Sequence, residues 1–189
     1  QPGGVRPGTT GTAVPGYDLK VLDEAGAEVS AGAPGTLYVR GASTATGYWS
    51  RYDATRQVFQ GEWLRTGDTY IRDVDGFYTC LGRTNDMLKA SGMWVSPAEV
   101  EGRLLAHPAV AQAVVVAAVD EDGLEKPVAY VLLRPDGQAS EDELIGFCRD
   151  GLPSFKRPRR VIFVDSYPTT ATGKVRRVEL RAMAATLLA

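Results

Sequence analysis

Three groups of residues are of types and spacings that could do chemistry. Asp68 stands in a Thr-Gly-Asp triplet, Arg83 in a Gly-Arg pair, and Lys89 follows in the same stretch. Lys174 closes the run TATGK. Between Phe155 and Arg181 stand Lys156, Arg157, Arg159, Arg160, Lys174, Arg176, Arg177 and Arg181, against Asp165 and Glu179 alone. A carboxylate and a guanidinium fork suit polar recognition, and clustered cations suit phosphates. Taken singly, Asp68 and Arg83 read as an ordinary surface ion pair, and a lysine in a Gly-Thr loop as a solvated one.

Other chemistries are excluded by count. His107, before Pro108, is the only histidine, so a His-rich metal site is impossible and ending a helix is its ordinary role. Cys80 and Cys148 are too far apart in sequence for a redox or metal-ligand motif, and read as two buried thiols in a reducing cytoplasm. TATGK is no triphosphate P-loop: Pro168 stands where its first glycine would be, and Val175 where its Ser/Thr would hold Mg²⁺. The net charge of -2 and the lack of aromatics interleaved with a basic face argue against nucleic-acid binding. No apolar run is long enough to span a membrane, so no membrane association is expected.

The elements that must position these residues are of two kinds. The first half reads as short strands: DLKVLD from Asp18, GTLYVRG from Gly35, DTYIRD from Asp68 and FYTCLG from Phe77, with no helices to cover them. The turn DVDG, Asp73 to Gly76, joins the last two as a hairpin and leaves Arg83 just past its exit. From Ser91 the grammar changes. Ser96, Pro97 and Glu99 predict a capped helix from Pro97 to about Leu105.

Apolar runs Val110 to Val119 and Val128 to Leu133 read as paired, buried strands. A second capping box, Ser140 and Glu143, starts a helix that places Leu144, Phe147 and Cys148 on one face and ends on Gly151. RVIFVD from Arg160 is a third strand. A closing helix from Val175 turns Val178, Met183 and Leu187 toward a core. The predicted class is α+β: residues 1–85 a β-rich unit, residues 86–189 a small α+β domain with a short sheet and about three helices.

The segment GEWLRTGDTYIRDVDGFYTCLGRTNDMLKASGMWVSPAEVE, Gly61 to Glu101, and the segment PTTATGKVRRVELR, Pro168 to Arg181, together strongly resemble the adenylate-forming superfamily. PGGVRPGTTGTAVPGYDLKVLDE looks most like its benzoate-CoA ligases, including hydroxybenzoate and aminobenzoate relatives. The resemblance covers essentially the whole chain. It implies an ATP-dependent ligation of an aryl carboxylic acid to coenzyme A through an acyl-adenylate. Residues 1–85 would be the trailing β-subdomain of a large N-terminal domain, whose remainder is the chain's partner, and 86–189 the mobile C-terminal domain.

By the same resemblance, Asp68 and Arg83 match the residues that hold the AMP ribose, and Lys174 the lysine that bridges acyl carboxylate and nucleotide phosphate during adenylation. Lys89 matches a position facing the site during thioester formation. Gly92 matches the glycine past which the pantetheine arm runs, with Trp94 lining the tunnel or simply packing. Lys156, Arg157, Arg159 and Arg160 suit CoA phosphates. Asn85 departs from the family, whose hinge residue is usually Asp and sometimes Lys. The phosphate loop, the acyl pocket and the Mg²⁺ ligands are expected outside these 189 residues, which implies a fragment without activity of its own. The alternatives are a ligase or peptide-synthetase adenylation domain for another acid, or a stand-alone nucleotide- or CoA-binding module.

Overall fold

The computed structural model describes residues 5–186. The chain divides into two compact units, one ending at Asn85 and the other beginning at Asp86.

The first unit is an antiparallel sheet. Its elements are β1 (Tyr17–Leu22), β2 (Pro34–Gly41), α1 (Tyr52–Val58), β3 (Phe59–Gln60), β4 (Trp63–Arg72) and β5 (Tyr78–Arg83). The strand order is β1-β2-β4-β3, with β5 also paired to β4. The β4–β5 turn forms because the Asp73 carboxylate accepts the N–H groups of Asp75 and Phe77 while Gly76 takes φ 84°. Val21, Leu37 and Tyr78 make the buried centre. Helix α1 corrects the expectation of a helix-free half. None of its residues is buried, so it carries no apolar periodicity from which to predict it. Arg83 is the last residue of β5 rather than one beyond it.

The second unit holds β6 (Leu88–Ala90), β7 (Met93–Val95), α2 (Pro97–Leu105), β8 (Val110–Val119), β9 (Glu125–Leu133), α3 (Glu141–Arg149), β10 (Arg160–Phe163) and α4 (Arg177–Ala184). Strands β8 and β9 are antiparallel, and β10 adds parallel to β9 after the α3 crossover. The continuous apolar runs follow from burial on both faces. Val115, Ala129 and Val131 pack with Val100, Leu104 and Leu144 on one side. Val114, Val116, Val128 and Tyr130 pack with Leu180 and Ala184 on the other. Tyr130 OH donates to Leu180 O at 3.1 Å, pinning α4 to the sheet. The architecture is α+β throughout.

Four local expectations are corrected. Ser96 caps α2 without a side-chain bond to it: the Glu99 N–H donates to Ser96 O at 3.2 Å, and the Glu99 carboxylate takes Lys156 Nζ at 2.6 and 2.8 Å. The box at Ser140 and Glu143 does form. On α4, Val178 and Met183 are exposed, and the core face is Leu180 and Ala184; Leu187 lies outside the described residues. Cys80 is exposed, whereas Cys148 is buried and burial pushes its thiol pKa up. Helix α3 ends at Arg149, and Gly151 leaves room for Arg103, whose Nε would lie 2.7 Å from an added Cβ.

Candidate functional site

In the first unit the hairpin brings Asp68 and Arg83 opposite each other as Cα partners. Arg83 Nη1 lies 3.2 Å from Asp68 Oδ1 and 3.3 Å from Thr66 O. The Thr-Gly-Asp triplet has a physical reason. Thr66 Oγ1 accepts the Asp68 N–H at 3.1 Å and donates to Leu37 O at 2.9 Å, while Gly67 takes φ 75°. That left-handed step reorients the chain just before the carboxylate at little cost for glycine. The Asp68 and Arg83 side chains remain 34% and 65% exposed, so the pair adds little to stability and stays accessible. A carboxylate beside a guanidinium edge suits a ligand with vicinal hydroxyls, which donate to one and accept from the other. Thr66 is the positioning residue that sequence reasoning left without a role, although it is the first member of the triplet.

In the second unit β6 and β7 form a two-residue hairpin. Ser91 and Gly92 both take positive φ, 51° and 77°, as the primed turn matching strand twist requires. Leu88, Ala90 and Val95 are buried, so Lys89 and its cross-strand partner Trp94 point outward together. Lys89 Nζ lies 5.3 Å from the Trp94 ring centroid, and the Lys89 N–H donates to Glu125 Oε2 at 2.7 Å. An added Cβ on Gly92 meets nothing within 4 Å, so its backbone angle is what calls for glycine here.

Lys174 sits on the returning arm of a closed loop before α4, just after the turn at 171–173. Thr170 N–H donates to Lys174 O at 2.8 Å, Gly173 N–H to Thr170 O at 2.9 Å, and Lys174 N–H to Thr170 Oγ1 at 3.2 Å. A bridge between Thr169 and Val175 closes the base. The Lys174 side chain is exposed, with no ion pair among the described residues.

The four basic residues from Lys156 to Arg160 divide. Lys156 is held by Glu99, and Arg160 by Glu141 at 2.8 Å. Arg157 and Arg159 line a groove of about 690 Å³, together with Arg149, Phe155 and Lys126. Arg157 Nε donates to Leu152 O at 2.9 Å, which fixes the side chain without neutralising it. Asp120 lines the same groove, and its pKa is held down by the Leu124 N–H and then by Lys126. Among the described residues no group of three or more His, Cys, Asp or Glu side chains is arranged to hold a metal ion, and no helix is long and apolar enough to cross a membrane.

Residues 99–174 match the AMP-binding enzyme C-terminal domain and residues 1–49 the AMP-binding enzyme domain. The chain belongs to this adenylate-forming enzyme family, of which it carries C-terminal sequence. Among its relatives, the benzoate-CoA ligase of Thauera aromatica is 46% identical over 95% of this chain and 35% of its own length. An anthranilate CoA ligase solved in complex with anthranoyl-AMP superposes with a TM-score of 0.88 at 44% identity, over 99% of this chain and 37% of that one. A benzoate CoA ligase from Burkholderia xenovorans LB400 gives 0.80 at 46% identity, over 94% and 36%. The chain thus spans 35% and 34% of the two first curated relatives.

Proposed function

We propose that this chain serves as the C-terminal part of an AMP-forming aryl acid:CoA ligase, which converts benzoate or a close aryl acid, ATP and CoA to the aryl-CoA thioester, AMP and diphosphate in the cytoplasm. Residues 1–85 then complete a larger N-terminal domain, its partner within the same enzyme. Residues 86–189 are the domain that rotates at Asn85.

The observation that carries this reading is the β4–β5 register, which sets Asp68 opposite Arg83 with both side chains accessible. Asp68 accepts hydrogen bonds from the ribose hydroxyls of AMP, and Arg83 donates to the same sugar. During adenylation the acyl oxygen attacks the α-phosphorus and diphosphate departs, with Mg²⁺ accompanying ATP. Negative charge then grows on the phosphoryl oxygens, and the Lys174 ammonium on its closed loop stabilises it. In the second step the CoA sulfur attacks the acyl carbon and AMP leaves. Lys89 and Trp94, displayed on one face of their hairpin, then face the reacting groups, and the Gly92 turn lies beside the pantetheine arm. Arg157, with Lys156 behind it on Glu99, meets CoA phosphates. The charge-bearing groove supports that placement.

The deciding experiment is an acid panel on the intact enzyme, read as diphosphate release from ATP. Benzoate, hydroxybenzoates and aminobenzoates should lead it. A panel led by aliphatic acids would overturn the aryl assignment, and no release with any acid would overturn the ligase.

A further inference from the structure

Four charged side chains of the second unit lie apart from those assigned to ligands: Asp86, Glu101, Arg177 and Arg181. Asp86 follows Asn85 directly and ends the 3₁₀ turn Thr84–Asp86. Its Oδ1 accepts Arg181 Nη2, and its Oδ2 lies 3.8 Å from Arg177 Nε. Arg177 Nη1 reaches Glu101 Oε1 at 2.9 Å and Val115 O at 2.8 Å, while the same Glu101 oxygen accepts the Val115 N–H at 2.8 Å. One network therefore joins the first residue of the unit to α4, and α4 to α2 and β8. Its side chains are 14% to 30% exposed, which screens them less than the outer pairs.

The connection continues to Lys174 without a soft spacer. Helix α4 begins at Arg177, and Arg176 N–H donates to Pro168 O at 2.8 Å across the base of the Lys174 loop. The Lys89 hairpin is fixed differently. Leu88, Ala90 and Val95 are buried in the core, and none of them uses the Asp86 carboxylate. The two lysines are thus carried by separate attachments, and only that of Lys174 runs through the charged network.

We propose that Asp86 is a positioning residue: held by Arg177 and Arg181, it couples the chain just after the Asn85 pivot to α4, so that rotation at the pivot carries the Lys174 loop as one body. The catalytic consequence rests on the ligase reading above; the mechanical coupling does not.

Two measurements test it. In the 189-residue chain, Asp86→Asn should raise amide exchange roughly tenfold at Gly173, Lys174 and Leu180, with α3 amides unchanged, and Asp86→Glu should recover most of the protection. Unchanged exchange, or equal acceleration throughout the unit, overturns the coupling. In the intact enzyme, Asp86→Asn should slow adenylation roughly tenfold. Thioester formation from supplied aryl-adenylate and CoA should stay within about twofold. Equal loss in both steps reduces Asp86 to a stabilising residue and overturns the proposal. If Lys174→Ala leaves adenylation intact in the same assay, the Lys174 role falls, and if the wild-type enzyme adenylates no acid the ligase reading falls, while the exchange result still decides the coupling.

Discussion

Replacing Lys174 with alanine should disable one half-reaction and spare the other. The loop around it is closed by main-chain bonds between Thr170, Gly173 and Lys174 and by the Thr169–Val175 bridge, all of which alanine retains. The ammonium has no ion pair among the described residues, so its removal orphans no carboxylate. Stability should therefore stay within about 0.5 kcal/mol of wild type. The loss of one preorganised charge at a phosphoryl transition state costs about 3–4 kcal/mol, so adenylation should fall by roughly 10² or more. Thioester formation from supplied benzoyl-adenylate and CoA should persist. Lys89→Ala should do the reverse; the contact it loses, 5.3 Å from the Trp94 ring, is worth about 0.5–1 kcal/mol at an exposed site. Single-turnover assays of each step, with a thermal melt of each variant, separate these effects. Equal damage to both steps by Lys174→Ala at unchanged stability would refute the two-conformation reasoning, and a silent Lys89→Ala would remove the Lys89 role alone.

Three further outcomes are expected. Asn85→Ala should be mild while Asn85→Pro, which fixes φ and removes a donor, should slow the passage between half-reactions; wild-type-like rates in both variants remove the pivot. Gly92→Ala should lower stability by about 1 kcal/mol through its φ of 77°. If the melt does not move and only thioester formation slows, close approach of a ligand is the reason for glycine instead. The 189 residues alone should release no diphosphate from ATP and benzoate, and release would show that they hold a complete site.

The strands and helices that bury an apolar face were legible because burial is what writes periodicity into sequence. Val110 to Val119 and Val128 to Leu133 read as strands for that reason, and α1, which buries nothing, did not read at all. The two capping boxes share one pattern and end differently. Glu143 keeps the Ser140 N–H on one oxygen while the other lies 3.5 Å from His107 Nε2, whereas Glu99 is drawn to Lys156 from 57 residues away, a partner that no local window contains. On α4 the larger apolar residues Val178 and Met183 suggested one face, and the sheet chose Leu180 with the small Ala184. The opposition of Asp68 and Arg83 was foreshadowed by the turn residues between their strands. The Thr66 and Gly67 geometry that aims the carboxylate needed the backbone.

The local basicity of the C-terminal segment resolves once distant carboxylates are in place. Lys156 pairs with Glu99, Arg160 with Glu141, Arg176 with Glu179, Arg177 with Glu101, and Arg181 with Asp86. Most of these partners come from the stretch between Asp86 and Glu141, so the excess charge read between Phe155 and Arg181 is largely internal to the fold. Lys174, Arg157 and Arg159 are left without a carboxylate partner among the described residues. Lys174 stands alone on its loop, and Arg157 and Arg159 share one groove. An anionic ligand gains most from cations that are already positioned and not already neutralised, because no existing pair must be broken to bind it. These three are the segment's cations left unneutralised by a carboxylate among the described residues, Lys174 outside the groove that Arg157 and Arg159 line. On the ligase reading proposed above, Lys174 would meet the reacting phosphoryl group and Arg157 and Arg159 the phosphates of CoA.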